Sequence, residues 1–334
     1  MMVTISDIAA KSNVSRTLVS RTLNNKPGVS PETRKRILSV AQELNYRPNA
    51  LAKSLVQQKT QVIGVVMDSL CEPFFFDLIS GMQDAAEKLD YNIVFSNGRF
   101  DADVKLKYLD FFTQGITDGV IAYGSYKKHL SFIQRIASNT SCFVLVEGTL
   151  PGLQINNVRV DNFKGAYDAT AHLIDLGYRR ISHFTGDMNY DVSLERFNGF
   201  IAAMHDRSVP ISSSNIVNAD FGEESGYAQM RRLIETRELP EAVFFGADLT
   251  AFGALRALYE SGVRVPDDIA LIGFDGDTPR DAKIVYPKLT TCRQPLYQMG
   301  EASVKLLVNS ILHPGDPPAV RVFEPELVVG DTCK

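Results

Sequence analysis

The sequence predicts two structural classes in one chain: an all-α helix-turn-helix head and an α/β body of two Rossmann-like lobes. Three observations carry that expectation. Helix caps followed by apolar residues at helical spacing crowd into the stretch before Asn45. From Val62 onward, short apolar runs alternate with amphipathic helices, the cadence of a parallel sheet covered on both faces. Charge is also divided unevenly. Residues 1–60 hold ten Lys and Arg against three acids (Asp7, Glu32 and Glu43), a net of +7 in a chain of −4, which leaves −11 on the other 274 residues. A basic head on an acidic body is the asymmetry of a nucleic-acid-binding module joined to something else.

In the head, Thr4 with Asp7 three residues on forms a capping box, so a helix should start near Ile5, with Ile8 and Ala9 on its apolar face. Lys11-Ser12-Asn13 interrupts the pattern as a short turn would. Ser15 caps a second helix running to Leu23, with Leu18, Val19 and Thr22 spaced for one buried side. Its outward side carries Arg16, Thr17, Ser20 and Arg21, groups suited to base edges and phosphates in a major groove. Taken alone, the same pattern also fits an ordinary three-helix surface with a solvated basic face. Ser30-Pro31 then opens a third helix, Glu32–Leu44, with Ile37, Val40, Ala41 and Leu44 at helical spacing.

The run SDIAAKSNVSRTLVSRTLNNKPGVSPETRKRILSVAQELNYRPNALAKSL resembles the head and hinge of the lactose/galactose repressor (LacI/GalR) family of bacterial transcription regulators. The matching elements are the VS-x-x-x-VSR-x-LN recognition helix, the VSPETR-x-R-I third helix and the L-N-Y-x-PN-x-x-A-x-x-L hinge. The resemblance continues to about residue 330. It implies DNA contacts from Thr4, Ser15, Arg16, Thr17, Ser20, Arg21 and Asn24 in the head, and from Asn49, Ala52 and Leu55 in the hinge. By residue chemistry alone, Ala50–Leu55 is a stretch too short to be a stable isolated helix. In the family it folds on the operator and levers a leucine, Leu55 by position, into the minor groove.

In the body, strands are expected at Val62–Met67, Asn92–Ser96, Gly119–Tyr123 and Cys142–Val146, separated by helices Phe75–Leu89, Val104–Gln114 and Leu130–Ala137. The alternation resumes with helix Phe163–Leu176 and strand Ile181–Thr185, then helix Leu194–His205 and a weak strand Asn215–Val217. Ser225–Ile234, Ala242–Phe245, Leu249–Ser261 and Ile269–Phe274 continue it, and helix Leu296–Leu312 precedes extended pieces at Val320–Phe323 and Leu327–Val329. The whole resembles the periplasmic sugar-binding protein fold of type I, with crossings between lobes near Val160–Asn162, Thr290–Arg293 and His313–Val320. The expected domains are a head at 1–46, a hinge at 47–60, an N-terminal lobe of 61–161 plus 293–320, and a C-terminal lobe of 162–290 plus 321–334.

Ligands of open parallel sheets bind beyond the carboxyl ends of the strands. The residues just after the apolar runs nominate Asp68, Ser125, Glu147, Asp248 and Asp275, with Arg196 on a later helix. Carboxylates facing a guanidinium suit vicinal hydroxyls. Phe74, Tyr190 and Phe221 could cover the apolar face of a ring, and Phe74 with Phe221 could equally sandwich a purine. Asp248 could be only a helix cap, and Arg196 only a surface ion pair with Asp191. The resemblance implies effector contacts at Phe74, Ser125, Glu147, Arg196, Phe221 and Asp275, and places Tyr190 and Ser193 in a loop that varies with effector. Ala247 departs from the asparagine common in the family.

Enzyme signatures are missing: there is no GxSxG, GxxxxGK or G-x-G-x-x-G, and the five histidines form no HExxH. Cys71, Cys142, Cys292 and Cys333 are scattered, as in a cytosolic protein with reduced thiols, and no metal or cofactor is expected. No apolar run reaches signal-peptide or membrane-span length. The chain is therefore expected to be a cytoplasmic regulator, most simply a repressor. Its expected partners are near-palindromic operator DNA, a small-molecule effector (a sugar before a purine) and a second copy of itself. No apolar heptad helix comes after the last strand, which points to a homodimer.

Overall fold

The computed structural model describes residues 3–46, 59–99, 101–124, 130–139, 142–277 and 287–334. It forms two compact units, Met1–Thr60 and Gln61–Lys334.

The first unit has three helices, Ile5–Ser12, Arg16–Leu23 and Pro31–Glu43. Thr4 and Asp7 cap the first reciprocally: the Thr4 N–H donates to Asp7 Oδ2 at 2.8 Å and the Asp7 N–H to Thr4 Oγ1 at 3.4 Å. Ser15 and Ser30 each accept the N–H three residues on, at 3.3 Å. Ile8, Ala9, Val19, Ile37 and Ala41 meet in a small core, so one apolar stripe per helix suffices to fix the trio.

The second unit carries two six-stranded sheets. The strands are β1 (Val62–Met67), β2 (Asn92–Asn97), β3 (Gly119–Tyr123), β4 (Phe143–Val146), β5 (Asn156–Val160), β6 (Ile181–Phe184), β7 (Ile216–Val217), β8 (Ala242–Phe245), β9 (Ala270–Asp275), β10 (Thr290–Arg293), β11 (Val320–Phe323) and β12 (Glu326–Val328). The first sheet has the order β11-β5-β4-β3-β1-β2 and the second β12-β10-β9-β8-β6-β7. Among these strands every pairing is parallel except β12 on β10. The central strands are buried along their length, as continuous apolar runs such as VIGVVM and AVFF require.

Three features differ from the sequence reading. Strand β5 was not anticipated, because NNVRV has no continuous apolar run; its asparagines are buried and bonded instead, Asn157 to the carbonyls of Leu145 and Gly148. The last crossing also lies later than His313–Val320. Val320–Phe323 pairs in register with Asn157–Val160 and belongs to the first sheet, so residues 321–323 are not part of the second lobe. The chain passes to the second sheet only between Phe323 and Glu326. Likewise Thr290–Arg293 is itself a strand of the second sheet, and the crossing comes after it.

Helices meet through reciprocal glycines. A Cβ on Gly81 would overlap the Tyr297 carbonyl and one on Gly300 the Leu78 carbonyl, where helices Phe76–Lys88 and Leu296–Leu312 touch. In the second lobe Gly226 and Gly253 do the same against Thr250 and Glu223, on helices Glu223–Thr236 and Asp248–Glu260. No helix among the described residues is long and apolar enough to cross a membrane.

Candidate functional site

The carboxyl ends of both sheets open on one cavity of about 670 Å³, lined by Asp68, Phe74, Tyr123, Glu147, Tyr190, Arg196, Phe221, Ala247 and Asp275 among others. That volume lies within the usual range for small-molecule sites.

Arg196 is the central cation of the described wall and is only 4% exposed. Its Nε donates to Asn162 Oδ1 at 2.9 Å, and its Nη1 donates to the Gly246 carbonyl and to Asp275 Oδ1, the latter at 3.4 Å. Its guanidinium lies over the Phe274 ring, 3.8 Å from the centroid. The alternative of a surface pair with Asp191 is therefore set aside: Asp191 accepts instead from the Thr149 N–H and hydroxyl, at 3.2 and 3.0 Å.

Asp275 ends β9 at φ 131°, a conformation that L-residues rarely adopt. Gln294, just after β10, holds it there: the Gln294 Nε2 donates to Asp275 Oδ1 at 2.7 Å and the Gln294 N–H to its carbonyl at 3.0 Å. Burial pushes the Asp275 carboxyl up to about 6, against the opposing pull of Arg196 and Gln294. Glu147, at φ 58° after β4, is 2% exposed. Its Oε1 accepts from the Val160 N–H at 2.7 Å and its Oε2 from Asn162 Nδ2 at 3.0 Å. Burial still wins, and its carboxyl is pushed up to about 7.

Asp68 reaches the cavity from the end of β1, but not as a lone carboxylate. Lys105, 5% exposed, donates to Asp68 Oδ1 at 2.7 Å and to the Tyr123 carbonyl at 2.5 Å. Sequence reasoning missed Lys105, although its place was legible. Lys105 shares the buried stripe of helix Ala102–Thr113 with Leu109 and Phe112, and a lysine at such a position needs a buried partner. Phe74, Tyr190 and Phe221 all reach the wall, the last two edge to face at 5.8 Å.

Two expected contacts do not face the cavity. Asp248 is fully buried and its carboxylate is consumed by the Thr291 hydroxyl and by the N–H groups of Gly276 and Asp277, so it shapes the loop after β9. It does not cap its helix either, since Ala247 holds the cap position. Ser193 packs behind Gly186 and Phe221, 1% exposed, with its hydroxyl unpartnered among the described residues. Ser125 lies outside the described residues, as do Asn49, Ala52 and Leu55 of the hinge.

On the head, Arg16 and Thr17 are exposed and Ser20 half-buried at the start and middle of the second helix. Arg21 is exposed too, but its Nε and Nη2 donate to the Pro27 carbonyl at 3.0 and 2.7 Å. Asn24 Nδ2 donates to the Ser20 carbonyl at 2.9 Å, while Thr4 and Ser15 serve as caps.

A capped helix-turn-helix head followed by a two-lobed body, whose cavity sets charged groups among aromatic walls, defines a ligand-responsive DNA-binding regulator. Comparison with known proteins agrees. Residues 4–49 match the family described as bacterial regulatory proteins, lacI family, and residues 170–333 match the periplasmic binding protein-like domain. Catabolite control protein A of Priestia megaterium is 33% identical over 310 residues, 92% of each chain. The HTH-type transcriptional repressor PurR of Yersinia pestis is 32% identical, covering 98% of this chain and 96% of its own. A lac repressor dimer bound to operator and the anti-inducer ONPF superposes with a TM-score of 0.87 at 25% identity, over 99% of both chains. A complex of the transcriptional regulator CelR with cellobiose gives 0.74 at 28% identity, again over 99% of each. The chain belongs to the LacI family of transcriptional regulators. Its relatives are regulators, not enzymes.

Proposed function

We propose that this chain is a homodimeric repressor whose affinity for a near-palindromic operator is switched by a monosaccharide or close derivative bound in the cavity. The observation that carries this reading is the buried pair Arg196 and Glu147 with the partly buried Asp275, and Asp68 beside them, all on the wall of one cavity. These groups set one guanidinium donor among carboxylate acceptors around one space, an arrangement better matched to several neighbouring hydroxyls than to a neutral heteroaromatic edge. The cellobiose complex of a relative and the operator-bound dimer of another support the two halves of the reading. Arg16 and Thr17 read bases, the hinge residues Asn49, Ala52 and Leu55 contact the DNA, and Leu55 carries the minor-groove role that the family resemblance implies.

A purine effector is the second reading. Phe74 and Phe221 both reach the wall, where they could cover a flat ring, and one relative is a PurR. Calorimetric titration of the full-length protein with D-ribose, D-glucose, D-galactose, cellobiose, hypoxanthine and guanine decides between them. Heat from a sugar alone is the expected result. Tight purine binding with no heat from any sugar would transfer the case to the second reading.

A further inference from the structure

The residue that ties the cavity together is one that need not touch a ligand. Asn162 opens helix Asn162–Asp175 where the chain first leaves the first sheet, and it is 1% exposed. Its amide faces two walls at once. Nδ2 donates to Glu147 Oε2 at 3.0 Å on the first lobe, and Oδ1 accepts from Arg196 Nε at 2.9 Å on the second. A weaker bond from Nδ2 to the Val160 carbonyl, at 3.2 Å, fixes the same orientation.

That orientation is forced by chemistry. An arginine Nε can only donate, so Oδ1 must point to Arg196 and Nδ2 must point to Glu147. A flipped amide would set an N–H against the guanidinium and an oxygen against the carboxyl, both unpaired in a buried site. Beyond Arg196 the same run of bonds continues to Asp275 and Gln294. One line of hydrogen bonds thus spans the cavity from β4 to the crossing after β10, with Asn162 as its neutral, non-titrating link between the lobes.

We propose that Asn162 is a positioning residue that couples the two walls of the cavity, so that whatever changes the bonding of Glu147 also changes the placement of Arg196. A ligand hydroxyl that engages Glu147 pulls on the amide, and the amide turns or holds the guanidinium that meets the same ligand from the other lobe. Bonds that polarise one another in series at a dry site strengthen together. The proposal rests on the cavity being the effector site, but its test needs no effector.

The probe is protonation of Glu147 itself, followed in the full-length protein by NMR with carboxyl-labelled glutamate and nitrogen-labelled arginine between pH 5 and 9. Besides Asn162, the charged and titratable groups near Glu147 are Arg196 and Glu195 from helix Asp191–Asp206, and Tyr123 from β3. In the unmodified protein the Arg196 Nε–H signal should show a step at the midpoint of Glu147, separate from the step at lower pH that Asp275, bonded to Nη1 and raised to about 6, imposes directly. In Asn162→Ala that response should fall at least threefold, and the Glu147 midpoint should rise by about one pH unit for loss of a donor to the charged form. Asn162→Asp guards against a variant that merely fails to fold. It keeps the acceptor for Arg196 but cannot donate to an ionised Glu147, so the slow-exchanging Arg196 Nε–H should survive while the Glu147 midpoint still rises.

An Arg196 signal that is flat across the Glu147 titration would overturn the proposal. So would a response of equal size in Asn162→Ala, which would mean direct through-space coupling. Failure of every sugar to bind would count against the effector reading alone, leaving these signals to decide the role of Asn162.

Discussion

Arg196 and Asp275 show most directly how the cavity is expected to work, because Arg196 is buried, Asp275 is only partly exposed, and each is also the bonded partner of another polar group, Asn162 for Arg196 and Gln294 for Asp275. Replacing either by alanine leaves a polar partner unpaired, which costs more than the bond itself was worth. Arg196→Ala and Asp275→Ala should therefore each abolish the ligand response while leaving operator binding near that of the parent, as calorimetry and DNA titration would report. Equal loss of both activities would mean that the pair holds the body together instead of reading a ligand. Glu147 adds a pH signature. Its folded carboxyl sits at about 7, above the ordinary glutamate value, so between those values the folded state binds more protons than the unfolded one. Its contribution is present in full at low pH and is lost as pH rises through about 7, and Asp275, raised to about 6, acts in the same sense. Denaturant unfolding should accordingly show lower stability at pH 8 than at pH 5.5, and Glu147→Gln should flatten that slope. An unchanged slope would show that Glu147 is solvated in solution. These carboxyls were legible in the sequence because each ends an apolar strand. Asp248 had the same local pattern, and only its bonds to Thr291, Gly276 and Asp277 reveal that it faces inward.

The helices of the head were legible almost to the residue, since Thr4, Ser15 and Ser30-Pro31 are local cap signals that need no tertiary context. What the sequence could not show is which outward side chains are already engaged. Arg16 stands exposed in the first turn of the second helix, so Arg16→Ala should cost roughly 1–3 kcal/mol on the operator and little on unrelated DNA. Arg21 instead clasps the Pro27 carbonyl, and Arg34 bonds the Thr22 and Lys26 carbonyls from the third helix. Both therefore hold the turn between the second and third helices. Arg21→Ala should weaken binding to operator and random DNA alike and lower the melting temperature of the head. A loss confined to the operator, with melting unchanged, would return Arg21 to base reading. The glycine contacts of the body were equally invisible in sequence, because nothing at positions 226 and 253 announces that two helices touch there. Gly253→Val should destabilise the protein by roughly 1–3 kcal/mol or more, since the overlap is with the backbone carbonyl of Glu223 and not with a side chain that can swing away. Thermal unfolding measures it, and a variant as stable as its parent would show that the helices part without cost.

For the molecule as a whole, the two-lobed α/β plan followed from a cadence of buried runs and amphipathic helices, whereas the placement of the closing strands did not. Short edge strands such as Val320–Phe323 and Glu326–Val328 carry too few residues to declare which sheet they join; only pairing with Asn157–Val160 and with Thr291–Arg293 decides it. The proposed dimer is a separate matter, tested by sedimentation: a two-chain species at micromolar concentration is expected, and a stable monomer or tetramer would contradict it. The edge strands have a consequence in time as well as in space. The three helices of the head are contiguous, so they can form as soon as they leave the ribosome. Neither lobe has that freedom. The first sheet waits for residue 323 and the second for residue 328, and Thr332 then stitches the second sheet by accepting the Thr290 N–H and donating to the Leu271 carbonyl. During synthesis there is accordingly an interval in which a finished DNA reader is tethered to two unclosed sheets. A nascent chain stalled in that interval would present a head with no working sensor behind it, and its open sheet edges are where chaperones would be needed.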